Sequence, residues 1–175
     1  MALLQMEHLD VRGKRVLLRL DLNVPLKEGQ VRDDTRVREA AATVRALAEA
    51  HAVVIACSHL GRAKGKYDPA LSLAPVAPVL ARLVGRPVTF VQDVVGERAK
   101  AAVAAAKPGD VLLLDNLRFE AGEESNDPAL CAALGGLPGA VSLMPERAAV
   151  PLAGAQGRCG VLAIGNRSPT SPPLR

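Results

Sequence analysis

The chain has 175 residues, of which 49% are hydrophobic and only 2% are aromatic, and it carries a formal net charge of +4. This length is sufficient for one domain with a sizeable core, which Ala, Val and Leu must fill. Residues 1–134 carry a net charge of only +1, and few aromatic side chains are available for base stacking, so nucleic acid is not an expected partner.

The apolar runs and the cysteines argue against two further classes of protein. No apolar run approaches the roughly 18 residues that a membrane span requires, and the N-terminus lacks the pattern of a signal peptide. Cys57, Cys131 and Cys159 are far apart and odd in number. This favours small buried hydrophobes in a reducing compartment over a disulfide framework or a zinc site. We therefore expect a cytoplasmic monomer with neither a membrane partner nor a metal site.

Strand-like and helix-like segments alternate along the chain. Buried strands are predicted over residues 15–21, 52–57, 88–91 and 111–114, and helices over residues 35–50, 72–84, 95–106 and 127–136. Ser72 is expected to cap the second helix and Gly85 to end it, while Pro78 is an unfavourable residue that could kink it. This order predicts an α/β fold with a doubly wound parallel sheet, a Rossmann-like three-layer arrangement.

Three of the predicted strands run directly into clusters of polar residues. The clusters are Asp21-Leu22-Asn23, Ser58-His59-Leu60-Gly61-Arg62 and Asp115-Asn116-Leu117-Arg118. In an open parallel sheet, ligands bind outside the carboxyl ends of the strands, so the three clusters should meet at one edge. Two arginines and a histidine gathered with short polar side chains suit a small phosphorylated or carboxylated substrate.

Each of these residues also has a plainer structural explanation. Asp21 and Asn23 share a face of a continuing strand, but they could equally form a turn before Pro25. His59 could be a structural histidine, and Arg62 could be a solvated surface residue. Only the repetition of polar clusters after three strands makes the functional interpretation the stronger one.

Arg36 lies in the first turn of the predicted first helix, where the helix dipole disfavours a cation. This placement indicates a role toward a ligand, and the alternative is a surface ion pair with Asp33 or Asp34. Glu120, Glu123 and Glu124 are expected to form a solvated acidic loop or a cluster at the N-terminus of a helix. Neither of the two common glycine-rich phosphate-binding motifs occurs, which weighs against an unrelated nucleotide-binding domain.

Five ordered motifs resemble those of phosphoglycerate kinase, and the resemblance extends from residue 8 to about residue 136. The motifs are Arg19-Leu-Asp21-Leu-Asn23-Val-Pro25, Asp33-Asp-Thr-Arg36, Ser58-His-Leu-Gly-Arg62, Ser72-Leu-Ala-Pro75-Val and Asp115-Asn-Leu-Arg118-Phe. Gly122-Glu-Glu-Ser-Asn126-Asp-Pro128 looks like the next landmark of the family. The resemblance implies a glycolytic enzyme that transfers a phosphoryl group between 1,3-bisphosphoglycerate and Mg-ADP, giving 3-phosphoglycerate and Mg-ATP.

The resemblance also implies roles for particular residues. The implied substrate-binding set is Asp21, Asn23, Arg36, His59, Arg62 and Arg118. The first two would hydrogen-bond the hydroxyl and carboxyl end of the glycerate, and the last three would hold the 3-phosphate. Arg36 would be the catalytic residue, because it would face the transferring phosphoryl group and steady its equatorial oxygens.

The chain departs from the family pattern at three tolerable positions and at its C-terminal side. Leu22 replaces an aromatic residue, Ala63 replaces a proline and Asp115 replaces a glutamate. After Gly136 the family's Asn-Asp-Ala-Phe and Ala-His-Arg motifs are absent. The resemblance assigns Mg-ADP and Mg-ATP to a second domain that this chain lacks, so we expect an incomplete single domain.

Residues 135–175 contain 7 Gly and 6 Pro, and only Val161–Ile164 shows a strand-like pattern. We divide the chain into a phosphoglycerate-binding domain over residues 1–136 and a disordered tail over residues 137–175. A shift of reading frame near Gly136 would explain the tail, and a divergent linker that adds a surrogate strand is the alternative. The domain is either a fragment of the kinase or a non-catalytic module that binds phosphoglycerate or other anions.

Overall fold

The structure, a computed structural model, describes residues 10–137, 140–145 and 162–164, the last two segments by their backbone alone. Strands and helices alternate as the sequence predicts. The strands are β1 (Arg15–Arg19), β2 (Leu26–Lys27), β3 (Gln30–Val31), β4 (Val53–Cys57), β5 (Val88–Val91), β6 (Val111–Leu114), β7 (Ala140–Pro145) and β8 (Leu162–Ile164). The helices are α1 (Thr35–Glu49), α2 (Val76–Val84), α3 (Glu97–Ala105) and α4 (Pro128–Gly135).

Six strands form one sheet in the order β5-β6-β4-β1-β7-β8, and each neighbouring pair is parallel. Strands β2 and β3 form a separate antiparallel hairpin between β1 and α1. The non-sequential order of parallel strands confirms the predicted doubly wound α/β fold.

Helices cover both faces of the sheet, because alternate residues of each strand point to opposite sides. Val16 and Leu18 of β1 pack in the cluster that contains the buried faces of α1 and α2. Leu17, between them, packs in a second cluster with α3 and α4. Strands β1 and β4 therefore lead to helices on one face, and β5 and β6 lead to helices on the other. In open parallel sheets, ligands bind at such a reversal, which here falls at the carboxyl ends of the neighbouring strands β4 and β6.

The start of α2 differs from the sequence prediction. The helix begins at Val76 and not at Ser72, and its N-cap residue, Pro75, makes no side-chain capping bond. Pro78 therefore lies in the first turn, where a missing N–H costs no intrahelical hydrogen bond, and the expected cause of a kink disappears. Gly85 ends the helix in the left-handed conformation, with a φ of 79°, as predicted.

Two strands lie within the segment that the sequence predicts to be a disordered tail. Strand β7 pairs with β1 and β8 pairs with β7, so the prediction of disorder is wrong for these residues. The short apolar run of β7 is typical of a strand in the interior of a parallel sheet. Strand β8 falls in the one stretch, Val161–Ile164, that shows a strand-like pattern. The division of the chain at residue 136 stays a prediction, and the other residues after 137 lie outside the described ones.

The two cysteines within residues 10–137, Cys57 and Cys131, are buried, as predicted, whereas Cys159 lies outside the described residues. Burial raises the pKa of the Cys57 thiol to about 12, so the thiol stays protonated and unreactive. None of the described helices is long and apolar enough to cross a membrane.

Candidate functional site

Hydrogen bonds join the loops that follow β1, β4 and β6 into one edge of the sheet. The Leu22 amide donates to Ser58 Oγ at 2.9 Å, and the Gly61 amide donates to Asn23 Oδ1 at 3.0 Å. From the third loop, Arg118 Nη1 donates to the Gly61 carbonyl oxygen at 2.6 Å. The three polar clusters therefore lie together at the carboxyl ends of the strands, as their positions in the sequence predict.

Asn116 links two of these loops from inside the protein. Its side chain is fully buried, and Nδ2 donates to the carbonyl oxygens of Leu60 at 2.7 Å and Leu71 at 2.9 Å. Its Oδ1 accepts from the amides of Leu60 at 3.1 Å and Arg118 at 3.0 Å. Because one amide group uses both its donors and its acceptor, Asn116 fixes the loop after β4 against the start of the loop after β6.

Asp115 anchors the segment that leads into α2. This carboxylate is 2% exposed and accepts hydrogen bonds from Ser72 Oγ at 3.0 Å, the Leu73 amide at 3.0 Å and the Asn116 amide at 2.8 Å. The hydroxyl that the sequence suggests as a helix cap is thus a donor to a buried carboxylate. Its position four residues before the helix explains why the predicted start of α2 is wrong.

Arg36 turns toward the loop after β1. Its Nη1 donates to Asp21 Oδ1 at 3.1 Å and to the Asn23 carbonyl oxygen at 3.0 Å. Asp34, one of the two partners offered by the alternative interpretation, pairs instead with Arg38 and Arg82. The cation at the start of α1 is therefore held at the edge that carries the polar clusters.

Asp21 and Asn23 also make the local turn that the plainer explanation invokes. The Asn23 amide donates to Asp21 Oδ1 at 3.1 Å. The Asp21 side chain nevertheless remains 57% exposed, and that of Arg36 remains 50% exposed. Both groups can be reached by a ligand without unfolding the turn.

Gly61 places Arg62 in solvent beside this edge. Gly61 has a φ of 58°, a left-handed conformation that favours glycine, whereas the nearest atom to a Cβ built on it is the flexible Leu71 Cδ2 at 2.7 Å, which can move aside. Within residues 10–137, the exposed guanidinium of Arg62 makes no hydrogen bond or ion pair. It is a cation available to an external anion.

His59 is half-buried between the same loops. Burial lowers the pKa of its imidazole, and the positive charges of Arg118 and Arg19 lower it further. The depressed pKa keeps the imidazole neutral at neutral pH. A bound anion would favour its protonated form.

Two partly buried arginines share one carboxylate. Glu123, with a 6% exposed side chain, accepts a short hydrogen bond from Arg19 Nη2 and a second bond from Arg118 Nε at 3.3 Å. The prediction of a solvated acidic loop is therefore wrong at Glu123, because this side chain is buried and pairs with two arginines. Glu124 fits the prediction, since its side chain is 51% exposed.

Arg19 was not among the predicted site residues. Arg19 begins the first of the family motifs, but a charged residue at the end of an otherwise apolar strand is more often read as the strand boundary. With Arg19 included, four guanidinium groups lie at this edge, and the carboxylates of Asp21, Glu123 and Glu124 pair with three of them. Within residues 10–137 the fourth, Arg62, has no carboxylate partner, and its uncompensated charge favours an anionic ligand.

Comparisons with known proteins agree with the motifs at this edge. The family model that describes phosphoglycerate kinase matches residues 6–139, which is more than half of the chain. The chain belongs to the phosphoglycerate kinase family. A phosphoglycerate kinase of Rhizorhabdus wittichii is 54% identical over 125 residues, which cover 71% of this chain and 32% of the relative. A phosphoglycerate kinase of Zymomonas mobilis is 55% identical over 123 residues, which cover 70% of this chain and 31% of the relative.

Solved phosphoglycerate kinases have the same fold. The structure from Coxiella burnetii superposes with a TM-score of 0.72 at 34% identity, over 82% of this chain and 35% of that one. The structure from Pyrococcus horikoshii gives a TM-score of 0.71 at 30% identity, over 81% of this chain and 36% of that one. The chain thus spans about a third of the length of the phosphoglycerate kinases that it matches.

Proposed function

We propose that this chain is the phosphoglycerate-binding part of a phosphoglycerate kinase, and that its strand edge binds 3-phosphoglycerate and 1,3-bisphosphoglycerate. The observation that carries the proposal is the set of hydrogen bonds that join three family motifs into one cationic edge. Arg62 lies beside that edge with its donors uncommitted. A doubly charged phosphate is the ligand that such donors bind most strongly.

The geometry supports a division of roles along the edge. Arg62, Arg118 and His59 would hold the 3-phosphate, since they lie on the two loops that the Asn116 side chain fixes together. Asp21 and the Asn23 side chain would hydrogen-bond the glycerate.

Arg36 would act as the catalytic residue on the transferring phosphoryl group. Its guanidinium is half-exposed and is held in place by two oxygen atoms of the loop after β1. Because phosphoryl transfer depends on positioning and on neutralising charge, no covalent nucleophile is required.

The nucleotide belongs to another part of the family's fold in this proposal. Mg-ADP and Mg-ATP would bind outside these 175 residues, and in the described part of the chain no group of three or more His, Cys, Asp or Glu side chains forms a metal site. We therefore expect the 175 residues alone to bind phosphoglycerate without transferring phosphate. We also propose a cytoplasmic location and a monomeric state, which the reduced cysteines and the near-neutral body of the domain favour.

A non-catalytic anion-binding module is the second candidate. The observation that favours it is that the family match ends at residue 139. Robust turnover by the purified chain in a coupled assay of ATP formation would exclude a module that only binds, whereas the absence of turnover is the result that both candidates predict for these 175 residues.

Isothermal calorimetry with 3-phosphoglycerate tests the proposed site. Arg62→Ala should weaken binding by about 10- to 150-fold, because a hydrogen bond to a charged group contributes about 1.5–3 kcal/mol. Arg98→Ala removes an equal charge from an exposed position in α3 and should leave the affinity unchanged. No heat from the folded wild-type chain at millimolar ligand would contradict the proposal.

A further inference from the structure

The link between Arg19 and Arg118 depends on a single side chain. Arg19 lies at the end of β1 and Arg118 follows β6, and these two strands are separated in the sheet by β4. The two guanidinium groups are 18% and 23% exposed, and each contacts a different oxygen of the Glu123 carboxylate. Without that carboxylate, two partly desolvated cations would repel each other at short range.

Glu123 occupies only one N–H donor of each arginine. It takes the Nε–H of Arg118 and one N–H of Arg19 Nη2. Gly61 accepts from Arg118 Nη1, and within residues 10–137 no acceptor contacts Arg118 Nη2 or the Nη1 of Arg19. A guanidinium has five N–H donors, so each arginine keeps donors for a further anion.

We propose that Glu123 is a positioning residue for the anion site: its carboxylate holds Arg19 and Arg118 together so that their remaining donors act on one anionic group of the ligand. The inference rests on the proposed function of this edge. Glu123 would contact no part of the ligand, and the two arginines would transmit its effect.

A matched pair of variants separates positioning from charge. Glu123→Gln and Glu124→Gln each remove one negative charge, but Glu124 is half-exposed and lies 3.6 Å from Arg118 Nε without contacting Arg19. The amide of Glu123→Gln has one oxygen acceptor, and its NH₂ group cannot accept from the second arginine. Positioning therefore predicts weaker anion binding in Glu123→Gln, whereas a simple charge effect predicts tighter binding in both variants.

Calorimetry of the folded variants with 3-phosphoglycerate and 2-phosphoglycerate is the test. Glu123→Gln should bind 3-phosphoglycerate about tenfold more weakly, which corresponds to about 1.4 kcal/mol. The preference for 3-phosphoglycerate over the equally charged 2-phosphoglycerate should also fall, because two guanidinium groups held in fixed positions distinguish a phosphate on one carbon from a phosphate on the next. Glu124→Gln should keep both affinity and preference. Equal or tighter binding of 3-phosphoglycerate by Glu123→Gln would overturn the inference.

A measurement on the wild-type chain applies even if Glu123→Gln does not fold. The Arg118 Nε–H signal in ¹⁵N-edited NMR should remain protected from exchange when 3-phosphoglycerate is added, while the Nη signals of Arg19 and Arg118 shift. Loss of that protection would show that the ligand displaces Glu123, and the inference would be wrong. If wild type does not bind 3-phosphoglycerate, the proposed function fails as well; if it binds and only the Glu123 effects are missing, the inference alone fails.

Discussion

The sheet edge contains two kinds of polar residue that differ in burial and in partners. Ser58, Asp115 and Asn116 form a buried hub whose polar atoms bond to backbone groups of neighbouring loops. Asp21, Arg36 and Arg62 form a charged rim that is exposed and has few partners or none. The motif of residues 58–62 contains one residue of each kind, Ser58 and Arg62, so this motif both builds the edge and presents a charge on it.

Removing a hub carboxylate should have the largest effect. Asp115→Ala leaves the Ser72 hydroxyl and the Leu73 and Asn116 amides without their acceptor in a dry environment. We expect a loss of about 3 kcal/mol in the free energy of unfolding, since each unsatisfied buried group costs about 1–3 kcal/mol. Urea denaturation measures it, with the exposed Asp10→Ala as the matched control. A loss equal to that of the control would erase the distinction between hub and rim.

The loop that carries the rim arginine should be sensitive at Gly65. A Cβ on Gly65 would lie 2.8 Å from the Ala121 Cα, a backbone atom that cannot rotate away, and φ is 73°. Gly65→Ala should therefore destabilise the chain by about 2–3 kcal/mol. Gly13→Ala has a similar φ of 69° and open space around it, so it should show the backbone strain alone, about 1 kcal/mol. If thermal denaturation gave the same loss of stability for Gly65→Ala and Gly13→Ala, the contact with Ala121 would not contribute.

Rim substitutions should separate binding from stability. Arg36→Ala removes a half-exposed ion pair, and such pairs contribute about 0–1 kcal/mol, so the free energy of unfolding should change little. Its affinity for 1,3-bisphosphoglycerate should nevertheless fall. Arg38→Ala, which breaks the exposed pair with Asp34 on the same helix, should match it in stability and keep the affinity. If the two variants bound 1,3-bisphosphoglycerate with the same affinity, the assignment of Arg36 to the site would be wrong.

The pH dependence of stability should report the smallest effect. Burial and the nearby arginines hold the pKa of His59 below its usual 6.5, so the unfolded chain binds a proton more readily than the folded one. Stability should therefore be complete above pH 6.5 and should decrease as the pH falls through 6.5 toward the lower folded pKa. His59→Gln should flatten this part of the profile in urea melts between pH 5 and 8. An unchanged slope would show that His59 does not titrate differently on folding.

The sheet and the meeting of its loops could be predicted because they depend on local signals. Apolar runs of four or five residues and the intervening helices define a parallel sheet, and such a sheet brings the ends of its strands together. Gly85 was also predictable, since a glycine in the left-handed conformation commonly ends a helix.

The features that the sequence did not reveal depend on contacts between distant residues. Ser72 has the composition of a helix cap, but its hydroxyl meets Asp115, 43 residues away. Glu123 belongs to an acidic stretch that is typical of a solvated loop, yet it is buried against Arg19, 104 residues away. Strand β7 is a short apolar run whose partner, β1, stands at the other end of the chain. Local patterns carry no information about these partners.

The central claim, that the charged rim binds phosphoglycerate, is tested most directly by mapping the backbone amide shifts of the chain on titration with 3-phosphoglycerate. The account predicts saturable shifts in residues 21–24, 58–66 and 116–119, which follow β1, β4 and β6, with little change in α3. Shifts confined to the opposite end of the sheet, or no shifts at millimolar ligand in a folded chain, would contradict it.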